Sequence, residues 1–439
     1  MLYALGVVLF AIGLLIAIGL HEVGHLVPAK KFGVRVTQYM VGFGPTLWSR
    51  KRGETEYGIK WIPLGGYIRM IGMFPPGKDG SVRASSTGAF RTLIDDARRV
   101  SLAEVGPDDE DRVFYRKAWW KKVIIMTGGP AMNFVQAFVL FAIVLVGVGI
   151  PALTTTINDV PKCVLSAAVA QSRIDASPTH TADCQPGDPT SPAAEAGLQP
   201  GDKIVSLNGV AATSWDEVSA AIRAHGAGPV QLTIERAGAE QTLTANLVET
   251  QRPKDPDAPD GDLVDVGYLG VSPTQEVERQ SITAVPGQMW DFTSRTAIAI
   301  VSIPQRMVGV WQAAFGSGER DINGPIGLVG AGRIGGEYAA ADVPVSQKAA
   351  ALLSLLAGLN MALGIFNLLP LLPLDGGHIA GALYEAARRG VARLRKRPDP
   401  GYFDVAKLLP VAYAVAIVVI GMSALLLYAD IVNPVRLTG

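Results

Sequence analysis

His21-Glu22-Val23-Gly24-His25 is the densest chemistry in the chain. On a helix, positions i and i+4 share a face. Two imidazoles at that spacing can therefore grip one metal ion while the adjacent glutamate reaches a water on it. In a soluble protein such a match would carry little weight. Here these are the only His, Asp, Glu, Lys or Arg residues between Met1 and Ala29, and the rest of that run is overwhelmingly apolar. Ionisable groups at membrane depth are costly unless partnered or functional. A catalytic zinc also takes a third protein ligand and leaves its fourth position to water. Glu54 and Glu56 are the nearest acids downstream, in a polar stretch that reads as β-hairpin.

Asp375 is the more distant and better candidate. It closes Asn367-Leu368-Leu369-Pro370-Leu371-Leu372-Pro373-Leu374-Asp375-Gly376-Gly377-His378, and it is the only acid between Asp342 and Glu385. His378 could be a fourth ligand, but a site that admits water favours reading it as a neighbour. His180 and His225 read as surface residues.

These residues must be positioned by membrane-spanning elements. The chain has 439 residues, 49% hydrophobic and only 18% charged, against roughly 25% charged in average soluble chains. Its 39 basic and 39 acidic residues cancel, which gives no support to nucleic acid as a partner. Apolar runs long enough to cross a bilayer, which takes about 20 helical residues, predict four spans: 1–29, 123–150, 349–378 and 408–430. The first lacks the basic start and small-residue cleavage site of a signal peptide. Residues 29–122 hold 18 Lys/Arg against 10 Asp/Glu and 381–407 hold 7 against 3, whereas 151–348 hold 13 against 23. Basic loops stay in the cytoplasm, so the N-terminus and 151–348 are expected outside.

Depth agrees with that topology. His21 lies about 30 Å from the outer end of the first span at 1.5 Å per residue, near the cytoplasmic face. Asp375 ends an inward-running span at the same face, so the two motifs can meet. Cys163 and Cys184, the only cysteines, fall in the outer segment, where a disulfide is permitted and two free thiols are the alternative.

In combination, His21-Glu-x-x-His25 and Asn367-x-x-Pro370 followed by Leu374-Asp375-Gly376 resemble the site-2 protease family of intramembrane zinc metalloproteases. Gly128-Gly129-Pro130-x-x-Asn133, Val41-Gly42-Phe43-Gly44-Pro45 with Ile62-Pro63-Leu64-Gly65-Gly66-Tyr67, and Asn323-Gly324-Pro325-Ile326-Gly327 match further motifs of that family. The closest likeness is to the bacterial branch of regulated intramembrane proteolysis that carries an extracytoplasmic PDZ domain. Some relatives carry two PDZ modules, whereas 151–285 has sequence for one. The expected architecture is a multi-pass α-helical membrane protein with four transmembrane helices, a membrane-reentrant β-hairpin loop at 36–72 within a cytoplasmic loop 30–122, and one PDZ domain at 151–285. An outer amphipathic segment (286–348) and a second cytoplasmic loop (379–407) complete it.

The resemblance implies an endopeptidase of the bacterial plasma membrane that cuts in or near the transmembrane segment of single-pass proteins, such as an anti-sigma factor, after prior shedding of the ectodomain. Zinc on His21, His25 and Asp375 would acidify water to a pKa of about 7, and Glu22 would serve as general base. Asn367, set two helical turns before Asp375, would contact the substrate backbone or the oxyanion. Helix–helix glue is its alternative role, and Asn133 has the same two readings. Gly65-Gly66 would let substrate backbone approach an exposed strand edge. Residues 76–112 read as mobile surface, and Trp119-Trp120-Lys121-Lys122 as an interfacial anchor. Ser191 to Asp202, the Asn208-Gly209 turn, a helix at Trp215–Ala224 and a strand at Val230–Glu235 spell the PDZ, which would either capture a peptide end or filter substrates by size. Two rivals stand beside this: a membrane zincin acting on soluble or juxtamembrane peptides with Glu54 or Glu56 as third ligand, and a non-catalytic membrane PDZ adaptor.

Overall fold

The computed structural model describes residues 1–76, 89–177, 182–254, 262–316, 318, 320, 321 and 324–435. His180, Asn323 and most of the 252–262 loop lie outside them. The chain divides into two units, residues 1–149 with 279–439, and residues 150–278. In chain order, α1 (Leu2–Lys31) leads into β1 (Val36–Arg52) and β2 (Thr55–Met70), then α2 (Ala89–Leu102) and α3 (Trp119–Ala142). The second unit holds β3 (Ile150–Asp159), α4 (Ala167–Ala176), α5 (Pro192–Glu195), β4 (Lys203–Leu207), β5 (Val210–Ala211), α6 (Trp215–His225), β6 (Gly228–Arg236), β7 (Ala239–Pro253), β8 (Leu263–Tyr268) and β9 (Ser272–Glu278). The first unit resumes with α7 (Ala284–Phe315), α8 (Leu328–Ala340), α9 (Val345–Asn367), α10 (Asp375–Leu394) and α11 (Leu409–Val432).

Four helical stretches among the described residues are long and apolar enough to cross a membrane: Leu2–Lys31, Trp119–Val148, Val345–Asn367 and Val405–Val432. Small residues let them pack. A Cβ on Gly24 of α1 would lie 2.2 Å from the Gly128 carbonyl oxygen of α3, and one on Gly128 would lie 2.0 Å from that of Gly24. In lipid, where apolar side chains gain little by associating, such backbone contact is what joins helices. At the other end of α1, Gly6 meets the Gly335 carbonyl of α8 in the same way. The first turn of α8 is capped from a distance: buried Asp430 of α11 accepts the Gly327 and Gly330 amides at 2.9 and 2.8 Å. A carboxylate there answers free N–H groups and the positive end of the helix dipole.

The hairpin is folded over on itself. Residues 36–41 pair with 66–70 on one side and with 56–59 on the other, and 48–52 complete the order. Gly42, Gly44 and Gly65 take positive φ where the two strands bend, a conformation glycine adopts without penalty. The 66–70 segment is thereby left at one edge, with a strand partner only on its 36–41 side among the described residues. Tyr39 ties the sheet to α1 by donating its hydroxyl to the Gly19 carbonyl at 2.8 Å.

Several segments differ from the expectations. The span predicted to run to 378 stops at Asn367, residues 368–374 form a tight turn, and Asp375 opens a new helix. Pro370 and Pro373 lack the N–H that a helix needs and bias the residues before them away from helical φ/ψ. Asn367 is therefore not stacked above Asp375 on one helix. Residues 379–407, expected as loop, are helical to Leu394. Within 76–112, residues 89–102 form α2, pinned by Arg98 to Asp404; Glu104, just beyond it, pairs with Arg69 at 3.0 Å. The outer segment 286–348 resolves into α7, which exposes Trp290, Ile298, Val301 and Trp311, and the separate α8.

The second unit is a seven-stranded sheet ordered β8-β7-β6-β4-β3-β9, with β5 on β4. Its core gathers Ile157, Ile204, Val218, Ile222, Leu232, Ile234 and Leu269. Asn208 and Gly209 both take positive φ in the β4–β5 turn, as a two-residue hairpin requires. Ser214 caps α6 by accepting the Glu217 amide. Cys163 and Cys184 are joined in a disulfide. Buried Asp202 accepts Nε and Nη2 of Arg236, each at 2.7 Å, and the Gln199 amide at 2.8 Å. The guanidinium, helped by that amide, holds the Asp202 carboxyl below the ordinary range against the opposing effect of burial.

A folded-state value below the unfolded one gives stability that is present above about pH 4 and lost as pH falls through the folded value. Asp202→Asn is therefore expected to speed hydrogen exchange of the β4 and β6 amides by roughly tenfold at pH 7. The gap from wild type should close below about pH 4, and hydrogen exchange across pH on the intact chain checks both.

Candidate active site

One cavity of about 450 Å³ is lined by His21, Glu22, His25, Gly65, Gly66, Asn133, Asn367, Asp375 and His378. It thus brings together residues from α1, the hairpin edge, α3, the end of α9 and the start of α10. His21 Nε2 lies 3.2 Å from His25 Nε2, and Asp375 Oδ2 lies 3.4 and 3.3 Å from these two nitrogens. The sides of this triangle match a tetrahedral zinc, whose ligand bonds of about 2.0–2.1 Å set ligand–ligand edges of about 3.3–3.4 Å.

The surroundings favour a cation too. His25 Nδ1 donates to the Ile125 carbonyl of α3 at 2.8 Å, so its Nε2 turns a lone pair inward. Asp375 Oδ2 is buried and without a hydrogen-bond partner. Buried lone pairs that converge without a donor are answered by a positive charge, and these three residues could hold a divalent ion. Glu22 is buried beside them under the hairpin edge: a Cβ on Gly66 would come within 3.0 Å of its Cγ.

The alternative third ligands are not brought in. Glu54 accepts both its bonds from Arg112 Nη2, at 2.8 and 2.7 Å, and Glu56 accepts Ser49 Oγ at 2.7 Å and Gln38 Nε2 at 3.1 Å. His378 lines the cavity but gives no atom to the triangle. Asn133 is buried with its Nδ2 unpartnered, and Asn367 sits at the C-terminal end of α9 on the cavity wall.

Two features escaped the sequence reading. The Ile125 carbonyl that orients His25 belongs to the backbone, and nothing in the identity of an isoleucine announces it. Lys122, read as part of an interfacial anchor, is instead buried, whereas Trp119 and Trp120 are exposed. A lysine in the first turn of an apolar helix was the available signal, but the tryptophans beside it pointed to the interface.

The profile of peptidase family M50 matches residues 9–398. The chain belongs to this family. It is 36% identical over 450 residues to the zinc metalloprotease Rip1 of Mycobacterium tuberculosis, covering all of both chains. It is also similar to the metalloprotease MmpA of Caulobacter vibrioides (29% identical, 89% of this chain and 87% of the relative). The zinc metalloprotease RasP of Geobacillus kaustophilus is a third relative (25% identical, 84% and 86%). The resemblance to site-2 proteases is thereby established: this M50 peptidase is a membrane metalloprotease that uses zinc. A purely adaptor role falls away.

Gly129 offers a test of the cavity floor. A Cβ there would lie 2.2 Å from His25 Nε2 and 2.7 Å from His21 Nε2. Alanine suits a helix better than glycine, so in Gly129→Ala α3 should persist while the two imidazoles are displaced by the added methyl group. Its zinc affinity should fall by roughly tenfold or more, as read by chelator competition.

Proposed function

We propose that this M50 peptidase hydrolyses peptide bonds in or near the transmembrane segment of single-pass membrane proteins, with His21, His25 and Asp375 as zinc ligands and Glu22 as general base. The observation that carries the reading is the triangle of two imidazole nitrogens and one carboxylate oxygen, with Glu22 beside it, in a cavity that a free strand edge also lines. Zinc held there supplies Lewis acidity, polarising the scissile carbonyl and acidifying water. Glu22 takes the proton of the attacking water on its carboxylate and passes it to the departing amine. His25, fixed by the Ile125 carbonyl, keeps its tautomer through the cycle.

A peptide bond in a membrane helix is hydrogen-bonded within its own segment and shielded from water. Cleavage requires that segment to unwind and find other partners. The edge at residues 66–70 can accept an extended strand, and Gly65 and Gly66 leave room for its backbone. Asn133 and Asn367, both on the cavity wall, would hydrogen-bond the opened strand. The 36–72 hairpin is the membrane-reentrant element in this reading. Its edge is tolerated at that depth because it lines a polar cavity.

The active site would then face the cytoplasmic side of a bacterial plasma membrane, with the N-terminus and the second unit outside, in line with the charge asymmetry of the loops. The second unit is read as a PDZ domain. The groove between α6 and the edge strand β8 holds only about 120 Å³. In this reading the unit acts mainly as a filter, which admits substrates whose ectodomain has been shed. Anti-sigma factors are the proposed substrate class.

Glu22→Ala should lower turnover by about 10²-fold or more, and proteomics of membranes from cells carrying it should show accumulated truncated single-pass stubs. Asp375→Ala should lose zinc while Glu54→Ala and Glu56→Ala keep it. The opposite pattern in zinc content would reverse the ligand assignment.

A further inference from the structure

A buried ion pair outside the cavity bears on how the carboxylate of the triangle is aimed. Lys122 Nζ of α3 donates to Glu385 Oε2 of α10 at 2.8 Å, and the two side chains are 7% and 2% exposed. The Phe403 amide donates to the same oxygen at 3.1 Å, and Arg389 Nη2 approaches Oε1 at 3.5 Å. The Tyr402 ring lies 5.2 Å from Lys122 Nζ and 4.9 Å from the Arg389 guanidinium, measured to its centroid. Moving two charges out of water costs much of what their attraction returns, and an apolar pair of like volume is often as stable. A buried pair is thus weak evidence for stability, and its best-attested use is to fix register.

The two helices it joins carry complementary parts of the site. α10 begins at Asp375. α3 carries Ile125, one turn from Lys122, whose carbonyl orients His25, and Gly129 against both imidazoles. Residues 368–374 interrupt the helix before Asp375, so α10 is no rigid continuation of α9. The turn, with bonds such as Leu374 N–H to the Leu371 carbonyl and Gly377 N–H to the Leu374 carbonyl, holds the start of α10, while the height and rotation of its far end are set by the helices it packs against. Glu385, about 15 Å along the axis from Asp375, is anchored to the helix that orients His25.

We propose that the Lys122–Glu385 pair is a register clasp: it positions α10 against α3 so that Asp375 Oδ2 meets the two imidazole nitrogens. The clasp rests on the reading of His21, His25 and Asp375 as zinc ligands. Neither Lys122 nor Glu385 touches the cavity, and both act only through helix placement.

The test is zinc affinity by chelator competition, together with the apo thermal midpoint, on the full-length chain in detergent. Lys122→Met should lower zinc affinity by roughly tenfold, and Lys122→Arg, still able to reach Glu385, should stay within about threefold of wild type. The double variant Lys122→Met/Glu385→Leu should keep the wild-type apo midpoint while its zinc affinity stays roughly tenfold down. A merely structural pair would not produce that separation. Wild-type zinc affinity in folded Lys122→Met or in the double variant overturns the clasp. Should those chains fail to fold, Glu385→Asp, which keeps the charge and shortens its reach, carries the same expectation of a roughly tenfold loss, and wild-type affinity there overturns the clasp equally. Asp375→Ala is the control: if it binds zinc like wild type, the ligand reading fails, whereas its loss of zinc beside an unaffected Lys122→Met refutes the clasp alone.

Discussion

Two imidazole nitrogens 3.2 Å apart and a carboxylate oxygen 3.3–3.4 Å from each present their lone pairs at the spacing that one shared cation would satisfy. In water such a cluster would be solvated and would drift apart. Here the three groups are carried on packed helices that restrict their movement, and the packing around them acts to keep the cluster assembled. Gly24 and Gly128 bring α1 and α3 into backbone contact, which lets the Ile125 carbonyl reach His25 and lets Gly129 pass beneath both rings. The turn at 368–374 then delivers Asp375 at the head of a separate 20-residue helix, α10. A metal site of this kind depends on second contacts as much as on ligands, because each ligand has to be held in one orientation.

Under the proposed function, the same cavity answers the other demand of proteolysis in lipid. A transmembrane helix hides its amides by bonding them to one another, so any enzyme that cuts there must offer replacement partners as the helix opens. The bent hairpin offers one free strand edge, formed because glycines with positive φ at 42, 44 and 65 fold two long strands back on themselves. Sheet edges invite unwanted pairing when exposed. Here the edge lies against α1 and lines the polar cavity beside Glu22, where pairing would serve the reaction.

Much of this was legible in the residues. The i, i+4 histidines and the glutamate between them mark one helix face, and apolar runs mark the spans. The Asn208-Gly209 turn and the helix from Trp215 could be read locally, since each depends on neighbours within a few positions. Asp375 stood out as a lone acid in an apolar stretch. Local pattern was less informative where two influences competed. Hydropathy carried the third span through Pro370 and Pro373, although proline chemistry ends the helix before them. The charges of the 76–112 stretch concealed α2, although Phe90, Leu93, Ile94, Ala97 and Val100 recur at helical spacing; Arg98 ties that helix to Asp404, far away in sequence.

The sequence by itself determined which groups could do chemistry and which segments could cross a membrane, because both follow from residue type and short-range spacing. Tertiary structure alone decided that Asp375 meets histidines some 350 positions earlier, that a backbone carbonyl on α3 orients one of them, and that Lys122 and Glu385 are buried together and not solvated separately. Those outcomes depend on the relative height and rotation of helices. Helix placement arises from close contacts among small residues and from the need to pair every buried charge, and neither leaves a periodic trace along the chain.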